Sequence, residues 1–307
     1  MPKQPSAEGL LRPPPPQTLH WVTSVIGTGS RITRLRPIRH GGWHANHALV
    51  VVDQRGHRHR LVLRRWARPD WAVDDPDFTV QREATILTLL TDAPVPTPQV
   101  VAADPAGAVC DAPSLLLTRL PGRPPAQPRD LRGFLTQLAE ALPTIHAVNG
   151  RARQLVPAYR THQDLRGLPP PAWLGRSTVW AQAFTVATGP APATRRCFIH
   201  RDYHPGNTLW WRGRLTGVVD WTQGSWGPPG IDVGWMRWNL ACDHGLQAAE
   251  EFLAIWQAVD GTNDEHHPYW DVLTAVDLVT AMNPDPPTRD EGYHRLVQHV
   301  TAALSRL

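Results

Sequence analysis

The chain has 307 residues, 41% hydrophobic and 19% charged, enough to bury a sizeable core as one large domain or as two lobes. No apolar run reaches membrane-spanning length, and the opening stretch MPKQPSAEGLLRPPPPQ lacks the apolar segment of a secretory signal, so no membrane partner is expected. The net charge is +4, but the arginines are scattered and Lys3 is the single lysine, which argues against a nucleic-acid partner. The three cysteines, Cys110, Cys197 and Cys242, form no CxxC pair and suit the reducing cytoplasm.

Residues 1–17 are proline-rich and read as a disordered or extended tail. From Trp21 the chain reads as strands. One covers Arg31 to Pro37, a second His47 to Val52 and a third His59 to Arg65. A loop with Gly41-Gly42 and Asn46 precedes the second strand, and Gly27-x-Gly29 is a rival glycine turn. Alternation on the third strand puts Arg64 on the Val62 face, and Arg65 with Leu61 and Leu63. A helix is predicted from Asp77, its cap, to Thr91, and it carries Glu83. Strands over Val95–Ala103 and Ser114–Leu120 complete a small lobe, residues 18–118, and residues 119–307 make a larger one.

In that larger lobe Asp130 caps a helix whose Phe134, Leu135, Leu138, Leu142 and Ile145 fall at helical spacing, with His146 a satisfied core histidine. A helix is predicted near Ser177–Ala187. After Asn239 the pattern predicts helices over Leu246–Val259, Tyr269–Met282 and Arg289–Leu307.

The most informative stretch is Cys197 to Asn239. An apolar lead-in, Cys197-Phe198-Ile199, is followed by the loop His200-Arg201-Asp202-Tyr203-His204-Pro205-Gly206-Asn207. A strand over Thr208–Trp211, a turn at Arg212-Gly213-Arg214 and a strand over Leu215–Val219 then end on Asp220. Two carboxylates and one amide therefore sit at loop tips and strand ends. Phosphoryl transfer from a nucleotide needs such a set, because its loose transition state is served by positioning and charge neutralisation. Asp202 is placed to accept a hydroxyl proton. Asn207 and Asp220 are placed to hold Mg²⁺, which prefers hard oxygen ligands. The H-x-D-x-x-x-x-N spacing before a strand-terminal Asp is the kinase catalytic-loop arrangement. His200 and His204 are read as stabilisers of the loop. By the same logic the strand cation is Arg64, or alternatively Arg65, and Glu83 on the following helix is its partner.

The segment resembles the aminoglycoside phosphotransferase family, small-molecule relatives of the protein kinases. The resemblance rests on His200-x-Asp202-x-His204-Pro205-Gly206-Asn207, then Val218-Val219-Asp220-Trp221, then Gly227-Pro228-x-x-x-Asp232. It implies an α+β, two-lobed protein-kinase-like fold with a small antiparallel-sheet N-lobe and a mainly helical C-lobe. It implies a kinase that transfers the γ-phosphoryl of ATP or GTP, with Mg²⁺, to a hydroxyl of a small molecule, antibiotic resistance included. It further implies that Gly41, Gly42 and Asn46 form the nucleotide-covering loop. Main-chain groups at Thr118 and Leu120 would meet the adenine, and Asp232 would accept backbone hydrogen bonds from the catalytic loop. Residues 151–196 and the C-terminal helices would form the acceptor site. Arg119 stands where the family often has an acid.

Two other readings stay open: a kinase-like protein that binds nucleotide without turning it over, and a basic nucleic-acid-binding protein. A metal site at His40, His44, His47, His57 and His59 is set aside because no Cys or acid joins them at ligand spacing. Acids on the C-terminal helices, Glu250, Glu251, Asp271 and Asp277, neither demand nor forbid a polycationic acceptor. The chain is expected to act as a monomer or dimer.

Overall fold

The computed structural model describes residues 7–39, 44–67, 78–125, 127–148, 151–261, 265–281 and 290–307. The chain divides into two units, one built on residues up to Asp92, Pro96–Pro121 and Trp221–Gln223, the other on Ala93–Val95, Gly122–Asp220 and Gly224–Leu307. The crossing falls at Pro121 rather than at 118. The return of residues 221–223 to the first unit was not foreseen.

The first unit starts with α1 (Ala7–Leu10) and α2 (Pro16–Ile26). These correct the expected extended tail and the strand reading at Trp21. A proline run ends well on a helix, because its last member at the first helical position has a preset φ and no amide to satisfy. Pro16 stands there, after Pro15 at the cap. Trp21 and Val22 then bury one face of α2 against Leu49, Val51, Leu61, Leu63 and Leu116 of the sheet.

That sheet has five strands, β1 (Arg31–Pro37), β2 (Ala45–Val52), β3 (Arg58–Arg65), β4 (Val100–Asp104) and β5 (Ser114–Thr118), all antiparallel in the order β1-β2-β3-β5-β4. Its helix α3 covers Val80–Leu89, and its cap is Thr79, whose hydroxyl accepts the Arg82 amide at 3.2 Å. Asp77, the expected cap, lies outside the described residues.

The second unit holds α4 (Leu131–His146), α5 (Arg151–Leu155), α6 (Thr178–Ala187), the short strands β6 (Cys197–Ile199), β7 (Thr208–Trp211), β8 (Arg214–Val218) and β9 (Ser225–Gly227), then α7 (Gly230–His244), α8 (Leu246–Asp260), α9 (Tyr269–Ala281) and α10 (Glu291–Leu304). Asp130 caps α4 by accepting the Gly133 amide at 2.9 Å. Strand β6 pairs with β9, and β7 with β8 through a tight turn in which Arg212 and Gly213 both have positive φ.

Helix α7 has no counterpart in the sequence reading. It packs against both α8 and α9, and Ile231 to Arg237 is an unbroken buried run, so no polar face marks its period. Gly234 lets α7 approach α9 closely, since a Cβ there would stand 2.8 Å from Thr274 Oγ1. Among the described residues no helix is long and apolar enough to cross a membrane.

Candidate active site

The loop between β6 and β7 carries His200 to Asn207 and is fixed from behind. Asp232, fully buried near the start of α7, accepts the His200 amide on Oδ2 at 2.9 Å and the Arg201 amide on Oδ1 at 2.7 Å. His146 of α4 completes the support, its Nε2 3.0 Å from Asp232 Oδ2. A buried carboxylate is tolerated when its lone pairs are filled in this way. Tyr203, also fully buried, donates its hydroxyl to the Leu138 carbonyl at 2.9 Å and pins the loop to α4.

This anchoring holds Arg201 at φ 70°, in the left-handed region that disfavours a side chain. Such strain costs on the order of 1–2 kcal/mol and persists only where surrounding contacts fix it. Here it turns the next residue, Asp202, out to about a quarter exposure.

Asn207 meets Asp202 directly. Its Nδ2 donates to Asp202 Oδ2 at 2.9 Å and to the Asp202 carbonyl at 3.0 Å. Both partners are acceptors, so the amide polarity is fixed and Oδ1 of Asn207 is left as the oxygen that can face a cation. On the other carboxylate oxygen, His204 Nε2 stands 3.7 Å from Asp202 Oδ1. His204 Nδ1 accepts the Gly206 amide at 3.1 Å, so the proton of the neutral ring sits on Nε2.

Asp220 is brought to the pair through Val219. The Val219 amide donates to the Asn207 carbonyl at 2.9 Å, and the Val219 carbonyl lies 3.0 Å from His200 Nε2. The Asp202 amide approaches His200 Nδ1 at 3.3 Å. His200 therefore bridges the backbones before Asp202 and before Asp220. Asp220 itself has φ 67°, the second strained side-chain-bearing residue of the site. The donor set of one amide oxygen and carboxylates fits Mg²⁺ and offers no soft ligand.

The first unit holds a second constellation. Arg64 on β3 is buried and its Nε lies 2.9 Å from Glu83 Oε2 on α3. Thr222, two residues after Asp220 in sequence, belongs to this unit. Arg64 Nη2 donates to its Oγ1 at 3.0 Å, and that hydroxyl donates to Glu83 Oε2 at 3.3 Å. Sequence reasoning missed Thr222; its place just beyond the strand-terminal Asp was the signal available. Of the two cations left open on β3, Arg64 meets Glu83, whereas Arg65 pairs with Asp111 at 2.5 Å. Asn46 on β2 is the direct cross-strand neighbour of Arg64, and its Oδ1 is buried without a hydrogen bond among the described residues. Gly41 and Gly42 lie outside the described residues.

At the end of β5, the Thr118 amide donates to the Gln99 carbonyl at 2.9 Å, so it is already engaged. The Arg119 amide likewise donates to the Arg60 carbonyl at 2.9 Å. Leu120 is half-buried just beyond. The histidine reading needs one correction. An acid does join that set, since Asp53 Oδ2 lies 3.2 Å from His57 Nδ1 and 3.1 Å from His59 Nε2. It also accepts the Arg55 and His57 amides, which closes the β2–β3 turn, and no three-residue metal cluster occurs among the described residues.

Residues 34–273 match the phosphotransferase enzyme family. Among solved structures, the macrolide 2'-phosphotransferase MphH from Brachybacterium faecium aligns with a TM-score of 0.58 at 18% identity, covering 95% of this chain and 98% of its own. A ternary complex of aminoglycoside phosphotransferase APH(4)-Ia with AMP-PNP and hygromycin B aligns with a TM-score of 0.63 at 16% identity, covering 94% and 98%. Amicoumacin kinase hAmiN, in complex with AMP-PNP, Ca²⁺ and Ami, aligns with a TM-score of 0.52 at 16% identity, covering 85% of each chain. At these identities the structural likeness speaks to the fold, which is that of the kinase-like phosphotransferases. No curated protein sequence matches significantly.

Proposed function

Because the chain belongs to the phosphotransferase enzyme family, we propose that it transfers the γ-phosphoryl group of ATP or GTP to a hydroxyl of a small molecule. The observation that carries this reading is the Asn207 amide, which secures Asp202 with its N–H groups and turns its oxygen away for a cation. Asp202 Oδ1, the oxygen that Asn207 does not hold, takes the proton of the attacking hydroxyl. As the new O–P bond forms, the bond from the γ-phosphorus to the bridging oxygen breaks and a nucleoside diphosphate leaves.

Asn207 and Asp220 are the residues that would hold Mg²⁺, which would supply neutralising charge to the phosphates. His200 and His204 keep the loop in register rather than touching substrate. Arg64, fixed by Glu83 and Thr222, offers a guanidinium to phosphate oxygens, with Asn46 beside it on β2. Main-chain groups of Thr118 and Leu120 meet the base, Thr118 through its carbonyl since its amide is engaged. Antibiotic modification, as named for the relatives, falls within this proposal, as does a cytoplasmic location.

The test is a library of hydroxyl compounds incubated with Mg-ATP and Mg-GTP and read by mass. At least one acceptor class gains one phosphoryl group, and the gain disappears in Asp202→Ala. No gain with any class would contradict the assignment.

A further inference from the structure

Arginines that lie scattered along the sequence are gathered by the fold. In the first unit Arg31, Arg34 and Arg36 stand on β1, Arg58 and Arg60 on β3, and Arg119 directly after β5. Val52 is the cross-strand neighbour of both Arg31 and Arg58, and Val50 of both Arg34 and Arg60. The Arg119 amide donates to the Arg60 carbonyl at 2.9 Å and continues the second row. Directly opposed residues share a sheet face. This face is turned away from α2, which packs on Leu49, Val51, Leu61 and Leu63.

A bulge makes the set possible. Side chains alternate along a regular strand, so residues 31 and 34 would point to opposite faces. The register shifts between Ile32 and Arg34, with Thr33 as the extra residue, and Arg31 joins the side of Arg34 and Arg36.

Arg31, Arg34, Arg36, Arg58 and Arg60 are exposed and Arg119 is half-buried. Among the described residues no carboxylate lies within ion-pair distance of any of them. Asp53 is engaged by His57 and His59, Glu83 by Arg64, Asp111 by Arg65, and Asp104 by the amides of residues 108–110. Burial, and then the charges of Arg36 and Arg60, lower the proton affinity of Arg119 below that of an ordinary arginine, so repulsion within the cluster is felt and not compensated.

Guarding a sheet edge against pairing would account for charges on β1, the edge strand, but not for those on β3, which is paired on both sides. Side chains two apart on a strand are separated by about 7 Å, and β1 and β3 by about 10 Å, so the face is a broad grid of forked donors suited to several phosphates at once. Between the arginines stand Val50 and Val52 rather than aromatic rings, so the platform on which single-stranded bases stack is missing. Among the described residues no large exposed apolar side chain belongs to β1, β2 or β3, so the apolar anchor that holds a protein stably on a membrane is missing too.

We propose that this arginine face binds the phosphate backbone of double-stranded nucleic acid without reading its sequence. The proposal is independent of the phosphotransfer reading. Its test titrates the native protein into a fluorescein-labelled DNA duplex of about 20 base pairs, read by anisotropy between about 50 and 200 mM NaCl. The native protein binds, and log K falls against log salt with a slope of about −5, as for six phosphate contacts. The combined variant Arg34→Gln, Arg58→Gln, Arg60→Gln binds at least ~10-fold more weakly at the low salt, with a slope shallower by about 3. Removing the same charge from exposed arginines of the second unit, in the combined variant Arg132→Gln, Arg153→Gln, Arg176→Gln, changes affinity by less than about threefold. If thermal unfolding shows that the first variant does not fold, Arg58→Gln alone is used, and its slope is shallower by about 1. No binding at the low salt, an equal loss in the two combined variants, or binding to phosphatidylserine vesicles with none to the duplex overturns the proposal.

Discussion

Asn207 holds Asp202 twice, through the carboxylate at 2.9 Å and the main-chain carbonyl at 3.0 Å, with a single nitrogen. One side chain thus orients the Asp202 carboxylate and leaves its own oxygen able to face a cation. Asn207→Asp keeps the size but sets a carboxylate against Asp202 with no N–H to offer. Turnover is expected to fall at least ~100-fold, as for loss of a well-placed charge-orienting group. Nucleotide affinity, measured by fluorescence titration without Mg²⁺, is expected to stay within about threefold, a shift of less than about 0.7 kcal/mol.

Asp220 sits at φ 67°, where Asn and Asp are tolerated better than β-branched residues. Asp220→Asn is therefore expected to unfold within a few degrees of the native protein while losing Mg²⁺-dependent activity. Asp220→Val is expected to lose the same activity and, in addition, about 1–2 kcal/mol of stability. Thermal melts of the two variants separate the charge from the backbone strain.

Asp232 answers two buried amides and His146 from a fully buried position. Asp232→Ala strands all three. The expected loss is about 3–5 kcal/mol, read from the urea midpoint, because removing one partner of a buried polar network leaves the others unpaired. If stability were unchanged, Asp232 would not be the support of the loop.

His299, on α10, is buried beside Asp271 at 3.8 Å and near Arg237. Burial pulls it down to about 4, against the help of the Asp271 carboxylate. The folded state therefore binds its proton less readily than the unfolded chain. Stability from this group is complete above about pH 6.5 and is lost as pH falls toward 4, amounting to roughly 3 kcal/mol. His299→Leu is expected to flatten that part of the stability profile, measured by urea unfolding between pH 7.5 and 4.5. An unchanged slope would place the acid sensitivity elsewhere.

How much of this was legible in the sequence follows the range of the contacts. Asp202, Asn207 and Asp220 could be read because the loop and the β7–β8 hairpin that unite them are contiguous. Asp232 was reachable only through family resemblance, since its bonds to residues 200 and 201 span an entire hairpin and a further strand. Thr222 was missed because its partners Arg64 and Glu83 come from the far N-terminal sheet unit. Helix α7 was missed because burial on every side erases the periodicity by which helices are recognised. Helix α2 was misread because proline composition was weighed above the favourable place of one proline at a helix start.

Asp202 is the group proposed to receive the acceptor's proton. The decisive measurement compares Asp202→Ala with the native protein in two readouts on the same samples, nucleotide binding and phosphoryl transfer to the best acceptor. Nucleotide affinity is expected to stay within about threefold, a shift of less than about 0.7 kcal/mol, while transfer drops by at least ~100-fold, the low end for a lost general base. Transfer that survives the substitution at near-native rate would contradict the account.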